Sequence, residues 1–482
     1  MEKRYIIGID EGTTNARVVL YDVKLNKIIK KESRNFKQYY PKPNYVEHDA
    51  EEIWDSISEC LEKILHGLKL EEIYSIGITN QRESVVAWNK KTGKIVSKSI
   101  VWQCRRTADY CDSLKPSIKR LVKKKTGLIV DPYFSATKIK WLIENNAMVR
   151  KLHEQDNVCF GTMDSFLLSK LTNNKVFATD VTNASRTMLY NIKSLTYDKK
   201  LLKIFGIKEN SLPKVVSNSE LIGYAQTSLG EIPICSMIGD QQSALFGQGC
   251  FFEGMAKNTY GTGCFLLYNT GDKIVKTQKL LNDIAWQIDG KTTYALEGSV
   301  FNAGSAITWL IENLHLINSP SETNDIDKKV KDTLGTYFIP AFTGLGAPHW
   351  KSDVKGAIVG LTRATTKDHI IRACLESMAY STQDILKEMQ GIKELRCDGG
   401  VANNNFILSF QADLSRVKVT KQANVEATVL GAIYLAGLAS GAFKNLEEIS
   451  ALIKATKVFL PKRNQEEMKI LYNGWQKAIK RL

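Results

Sequence analysis

"IIGIDEGTTNARVVLYD", Ile6 to Asp22, sets two apolar runs around a polar turn that contains a glycine. Such runs predict a β-hairpin. A hairpin as such requires neither a carboxylate, Asp10, near the end of its first strand nor two threonines, Thr13 and Thr14, just past Gly12. Tight Gly-Thr turns expose backbone N–H groups and hydroxyls that can close around a polyphosphate. The pattern returns in "GMAKNTYGTGCFLLYNTG", where Gly261 and Thr262 sit between two further apolar runs. Two such hairpins predict one α/β unit used twice, with a boundary near residues 248–256 and domains of 1–250 and 251–482. Either hairpin taken singly reads better as a plain turn than as a phosphate clamp. No GxxxxGK[ST] loop occurs, which excludes the P-loop route to nucleotide binding.

Outward from the first hairpin, strand-like and helix-like segments alternate. "DAEEIWDSISECLEKILHGL" places Ile53, Ile57, Cys60, Leu61 and Ile64 at helical spacing, with Asp49 set to cap the start. "IYSIGITNQRESVVAWN" reads as strand, polar turn and strand, "FSATKIKWLIENN" as a helix, and "EIPICSMIGDQQSALFGQG" as a strand running into a helix. In the second half "LRCDGGVANNNFILSFQADL" reads as strand, glycine turn and helix. "HIIRACLESMAYSTQDILKEM" reads as a core helix, and "VLGAIYLAGLASGAF", rich in small residues, as a buried helix too short to span a membrane.

The length, 482 residues, exceeds what one ordinary core serves. Apolar residues at 43% and charged residues at 24% are the composition of a globular chain, not a disordered one. The N-terminus runs from charges straight into a strand without a secretory pattern, and nine cysteines lie scattered without metal-type or paired spacing, as in reduced cytosolic proteins. A net charge of +15, mostly lysine, admits a nucleic-acid surface, an anionic substrate or simply a solvated lysine-rich surface. The lysines are dispersed and no aromatic-basic recognition element appears, so no nucleic-acid partner is expected.

The ordered set "GIDEGTTNAR", "GITNQRE", "VWQCRRT", "PYFSATKIKWL", "TDVTNASRTMLYN", "GDQQSALFGQ", "NTYGTGCF", "FTGLGAPHW" and "DGGVANNNF" resembles the glycerol kinases of the FGGY carbohydrate kinase family, from Tyr5 to Arg481. The resemblance implies an α/β fold of two actin-like, ribonuclease-H-type ATPase domains around a central cleft. It implies a cytoplasmic enzyme that phosphorylates glycerol with ATP and Mg²⁺, self-associating as a homodimer or homotetramer and without a membrane span.

A small triol offers three hydroxyls and little apolar surface, so its site must present fixed donors and acceptors. "NQRE" offers Arg82 as donor and Glu83 as acceptor, Tyr133 a hydroxyl, Asp240 and Gln241 an acid and an amide, and Trp102 and Phe265 could cover the carbon chain. These seven match the glycerol contacts implied by the resemblance; the plain alternative is a surface Arg–Glu pair and two core aromatics. A primary hydroxyl needs a carboxylate to accept its proton, and Asp240 is assigned that role, though a Gly-Asp turn before a helix also reads as an N-cap. Asp10 is the candidate for Mg²⁺. For the nucleotide the resemblance points to Thr13, Thr14, Asn15, Arg17, Gly261, Thr262, Gly304, Thr308, Gly400 and Asn404. Relatives often have glutamine and serine where this chain has Glu11 and Asn15, and a longer polar residue in place of Thr308. Some bacterial relatives carry a glycine-rich loop with an arginine that binds an inhibitory sugar bisphosphate. Here the corresponding stretch, "AQTSLGEIP", is short and acidic, so weak or absent inhibition by fructose 1,6-bisphosphate is expected.

Overall fold

The computed structural model describes residues 3–351, 353–423 and 426–482. The chain forms two compact units, the first of Met1–Gly249, Asn282–Tyr294 and Glu426–Leu452, the second of Cys250–Leu281, Ala295–Val425 and Ile453–Leu482. The first unit's six-stranded sheet uses Tyr5–Glu11 (β1), Asn15–Asp22 (β2), Lys27–Asn35 (β3), Ile73–Asn80 (β4), Gly223–Thr227 (β5) and Gly230–Gly239 (β6), in the order β5-β6-β4-β1-β2-β3. β1, β2 and β3 form an antiparallel meander, whereas β4 runs parallel to β1 and β6 parallel to β4. β1 is buried along nearly its whole length, as its unbroken apolar run requires of a central strand. β3 alternates exposed and half-buried residues and carries Lys30 and Lys31, the composition of a protected edge.

The second unit repeats this pattern. Met255–Tyr260 (β7), Cys264–Gly271 (β8), Lys291–Val300 (β9), Glu394–Asp398 (β10), Lys418–Gln422 (β11) and Ala455–Phe459 (β12) lie in the order β9-β8-β7-β10-β11-β12. β7 and β8 are antiparallel, β10 is parallel to β7, and β11 is parallel to β10. In both sheets an antiparallel hairpin leads and two parallel strands follow beside its first strand, the arrangement of the actin-like ATPase fold. Each Gly-Thr turn therefore occupies the same place in its sheet, at the end of the leading strand.

The helix Ala50–Leu65 begins as its sequence dictates: the Asp49 carboxylate accepts the Glu51 N–H at 3.0 Å, and the Ile53, Ile57, Cys60, Leu61 and Ile64 face is buried. The helix Ala427–Ala439 has no polar face and is buried almost all round. A boundary drawn near residue 250 puts it with the second half of the chain, yet it packs within the first unit, against β1, β4, β6 and the helix Asp240–Gly247. The physical reason is glycine. A Cβ on Gly77 would lie 2.4 Å from the Ala432 carbonyl oxygen, one on Gly247 1.9 Å from that of Ala427, and one on Gly431 2.0 Å from that of Ser243. Only side-chain-free surfaces let these backbones approach so closely. Among the described residues no helix is long and apolar enough to cross a membrane, and all nine cysteines are free and buried.

His48, in the short strand Glu47–His48, has no exposed surface; its Nε2 lies 2.6 Å from Gln38 Oε1, and Gln38 Nε2 donates to the Thr13 carbonyl at 2.9 Å. The first hairpin turn is thus braced from below by a neutral imidazole, whose pKa burial pulls down to about 4.

Two outcomes follow from this packing. Gly431→Ala gains about 1 kcal/mol of helix propensity but forces a methyl into backbone, so thermal melting should show a net loss of about 1–3 kcal/mol. For His48 the folded pKa lies below the unfolded value of 6.5, so the unfolded chain protonates first as pH falls. Stability should be intact above pH 6.5 and fall by up to about 3 kcal/mol as pH drops through 4, and His48→Gln should flatten that part of the denaturation profile.

Candidate active site

The first turn closes with the Gly12 N–H donating to the Asn15 carbonyl at 2.9 Å, and leaves Thr14 exposed. Asp10 stands directly across the hairpin from Arg17 and is ion-paired with it; Arg17 also holds Glu426 at 2.8 Å, at the start of the buried helix. Burial raises the Asp10 pKa and Arg17 opposes that rise. Glu11 is turned into the protein, where it accepts the Gln81 side-chain amide at 2.6 Å and the Gln81 backbone N–H at 3.2 Å. Burial pushes its pKa well above the ordinary carboxylate range, against the pull of the Gln81 bonds. Its acidity thus does not confront the turn's N–H groups, which accounts for an acid beside a phosphate-type turn.

Arg82 and Glu83 lie in the turn after β4 and are 2% and 1% exposed, which removes the surface-pair reading. Arg82 donates to Gln242 Oε1 at 3.1 Å, sits 3.5 Å from the Tyr133 hydroxyl, and has its Nε 3.4 Å from Asp240 Oδ1. Space for its stem exists because residue 239 is glycine: a Cβ there would lie 2.8 Å from Arg82 Cγ and Cδ. Glu83 adopts a left-handed backbone, φ 60°, uncommon for a residue with a long side chain. Its carbonyl accepts Ser135 Oγ at 3.1 Å and Lys138 Nζ at 3.3 Å, and its carboxylate is held by Arg186. Lys138 has no exposed surface, and burial brings its pKa down to about 8, partly offset by Glu83.

Asp240 is the first residue of its helix; the N-cap position belongs to Gly239, so the capping alternative does not describe it. Its Oδ1 accepts the Gln241 N–H at 2.7 Å, and its side chain is 30% exposed, the most open of the Arg82, Glu83 and Asp240 group. Gln241, next on the helix, is half-buried. Trp102 is not a core aromatic. Its indole N–H donates to Thr13 Oγ1 at 3.0 Å and its ring meets Tyr133 edge-on at 5.6 Å. It therefore joins the polyol candidates to the first Gly-Thr turn. Within the first unit the fold brings together Arg82, Glu83, Tyr133, Asp240, Gln241, Trp102 and Thr13, drawn from segments far apart in sequence.

In the second unit the Gly261 and Thr262 carbonyls accept the N–H groups of Gly304, at 3.0 Å, and of Ala303 and Ser305, at 2.8 and 3.2 Å. The turn thus caps the helix Gly304–Glu312, and a Cβ on Gly304 would lie 2.6 Å from the Gly261 oxygen. Thr308 is turned onto its own helix, its hydroxyl donating to the Gly304 carbonyl at 3.3 Å. Gly399, at φ 90°, packs under the Tyr260 carbonyl, where a Cβ would come within 2.4 Å, whereas a Cβ on Gly400 would meet open space. The "CDGG" turn accordingly lies beside the Gly-Thr turn and presents an uncluttered glycine face. Asn404 is 5% exposed; it caps the helix Asn405–Ser415 and donates to Thr323 Oγ1 at 3.0 Å. Phe265 is half-buried on β8, opposite Thr259 of β7.

Sequence reasoning assigned no role to Arg186, Asp283, Lys138, Gln242 or the His48–Gln38 brace. Arg186 carried a usable signal: a single cation in a stretch of small and apolar residues, "TNASRTMLYN".

Comparisons with known proteins identify the family of the chain. The FGGY family of carbohydrate kinases matches through its N-terminal domain over residues 5–247 and through its C-terminal domain over residues 256–440. A protein of Desulforamulus reducens named glycerol kinase is 49% identical over 495 residues, covering 100% of this chain and 98% of that relative. One of Geobacillus with the same name is 49% identical over 492 residues, covering 99% of each. The crystal structure of Plasmodium falciparum glycerol kinase with ADP is similar at a TM-score of 0.94 and 37% identity, covering 100% of this chain and 99% of that one. With both domains matched in order along the sequence, the chain belongs to the FGGY family of carbohydrate kinases.

Proposed function

We propose that this protein transfers the terminal phosphoryl group of ATP to glycerol, forming sn-glycerol 3-phosphate and ADP. The observation that carries the reading is the polar cluster in which the buried Arg82 and Glu83 meet the half-buried Tyr133 and Asp240, in a chain 49% identical over its full length to proteins named glycerol kinase. A triol satisfies such a cluster; a ligand lacking one hydroxyl leaves a buried donor or acceptor unpaired, which costs about 1–3 kcal/mol.

Arg82 and the Tyr133 hydroxyl serve as donors and the Glu83 carboxylate as acceptor, with Gln241 next to Asp240 on its helix and Trp102 as apolar cover. Asp240 accepts the proton of the attacking primary hydroxyl as the new O–P bond forms, and ADP departs. Its opening to solvent, and its place beside Arg82 at the start of a helix, suit that role. The Thr13–Thr14 turn of the first unit and the Gly261–Thr262 turn of the second offer N–H and hydroxyl groups to phosphate oxygens. Asn15 and Arg17 in the first unit, and Gly304, Gly400 and Asn404 in the second, are each candidates for nucleotide contact, while Thr308, bonded to its own helix, contributes least.

Asp10 would hold Mg²⁺, directly or through water. Its carboxylate is paired with Arg17, which it shares with Glu426, and among the described residues no group of three or more His, Cys, Asp or Glu forms a metal cage. That fits a cation that keeps waters and shares phosphate oxygens. When bound, the ion supplies charge neutralisation at the β- and γ-phosphates.

The purified protein should release ADP in proportion to added glycerol, and Asp240→Asn should lower kcat by about 10²–10⁴. Turnover of a pentulose or gluconate in place of glycerol would overturn the substrate assignment. The hairpin of β5 and β6 turns over only Ser228 and Leu229 and carries no arginine, so millimolar fructose 1,6-bisphosphate should leave the rate unchanged.

A further inference from the structure

Arg186 is among the largest side chains with no exposed surface, and it does not lie among the groups proposed to touch the polyol. Its guanidinium has two anchors. Nη1 donates to both oxygens of Asp283, at 2.9 and 2.7 Å, and Nε donates to Glu83 Oε1. The ring centroids of Tyr133 and Phe134 lie 5.4 and 5.1 Å from its charged centre. Asp283 has no exposed surface either. A buried guanidinium shared by two buried carboxylates has one arrangement that satisfies all three groups, and that arrangement dictates where the Glu83 carboxylate sits. Arg82 cannot do the same work, because its Nε is 3.8 Å from Glu83 and nearer to Asp240.

Resting on the glycerol kinase reading, we infer that Arg186 is a positioning residue for polyol recognition: anchored on Asp283, it fixes the orientation of the Glu83 carboxylate so that Glu83 meets the substrate hydroxyls as a preset acceptor. A planar fork is required for this. Lysine keeps the charge but cannot hold Asp283 and Glu83 in one plane.

The test is a double-mutant cycle on the full chain, with Arg186→Lys, Glu83→Gln and the pair. Arg186→Ala is avoided because it leaves two buried carboxylates unanswered and risks misfolding. Arg186→Lys should raise KM for glycerol about tenfold or more, the loss of one charge-assisted hydrogen bond, and leave KM for ATP within about twofold. In the Glu83→Gln background the same substitution should change KM for glycerol by less than about twofold, since the group it positions is already altered. Equal fold-changes in both backgrounds, or parallel rises in both KM values, would overturn the inference and leave Arg186 a structural ion pair. A wild-type protein that turns over no glycerol would instead reject the functional reading on which the inference rests.

Discussion

A cluster of charges out of water governs the first unit. Arg82, Glu83, Arg186 and Asp283 are each nearly or wholly buried, and Asp240 stands at their edge. Ions removed from solvent are stable only when each finds close partners in good geometry. Here the partners come from the turn after β4, the segment around residue 186, the strand Leu281–Ile288 and the first turn of the helix Asp240–Gly247. The cluster holds together only if all four segments fold to one register, so the recognition proposed for it and the specification of the fold are the same constraint.

The backbone is shaped to admit that cluster. Gly239 clears the path of the Arg82 stem, and Gly247 and Gly431 let two helices touch backbone to backbone, which fixes where Asp240 begins its helix. Glu83 is kept in a left-handed conformation by Ser135 and Lys138 on its carbonyl and Arg186 on its carboxylate. A strained backbone at a site residue persists where its surroundings over-determine it. Trp102 then carries the arrangement onward, since its ring meets Tyr133 and its indole N–H donates to Thr13 of the first hairpin turn.

Local pattern made part of this legible from sequence. Asp49 ahead of an amphipathic run, the paired Gly-Thr hairpins, and a Gly-Asp step before a helix are each decided by a few neighbouring residues, and each stands where the pattern placed it. Long-range pairing was not legible. Arg186 and Asp283 lie 97 residues apart, and neither run of sequence announces the other. The helix Ala427–Ala439 could be read as buried because it has no polar face, yet the first unit as its home depends on glycines at 77 and 247 that only the folded chain brings beneath it. Glu11, an acid in a phosphate-type turn, becomes intelligible once Gln81 is seen to draw it inward.

The account claims that the buried charges of the first unit form a polyol site with Asp240 at its open edge. A crystal structure of the protein with glycerol bound tests this most directly. Glycerol hydroxyls within hydrogen-bond distance of Arg82, Glu83 and Asp240, with one primary hydroxyl on Asp240, is the predicted result. Glycerol bound elsewhere, or an Asp240 carboxylate turned away from every hydroxyl, would contradict it.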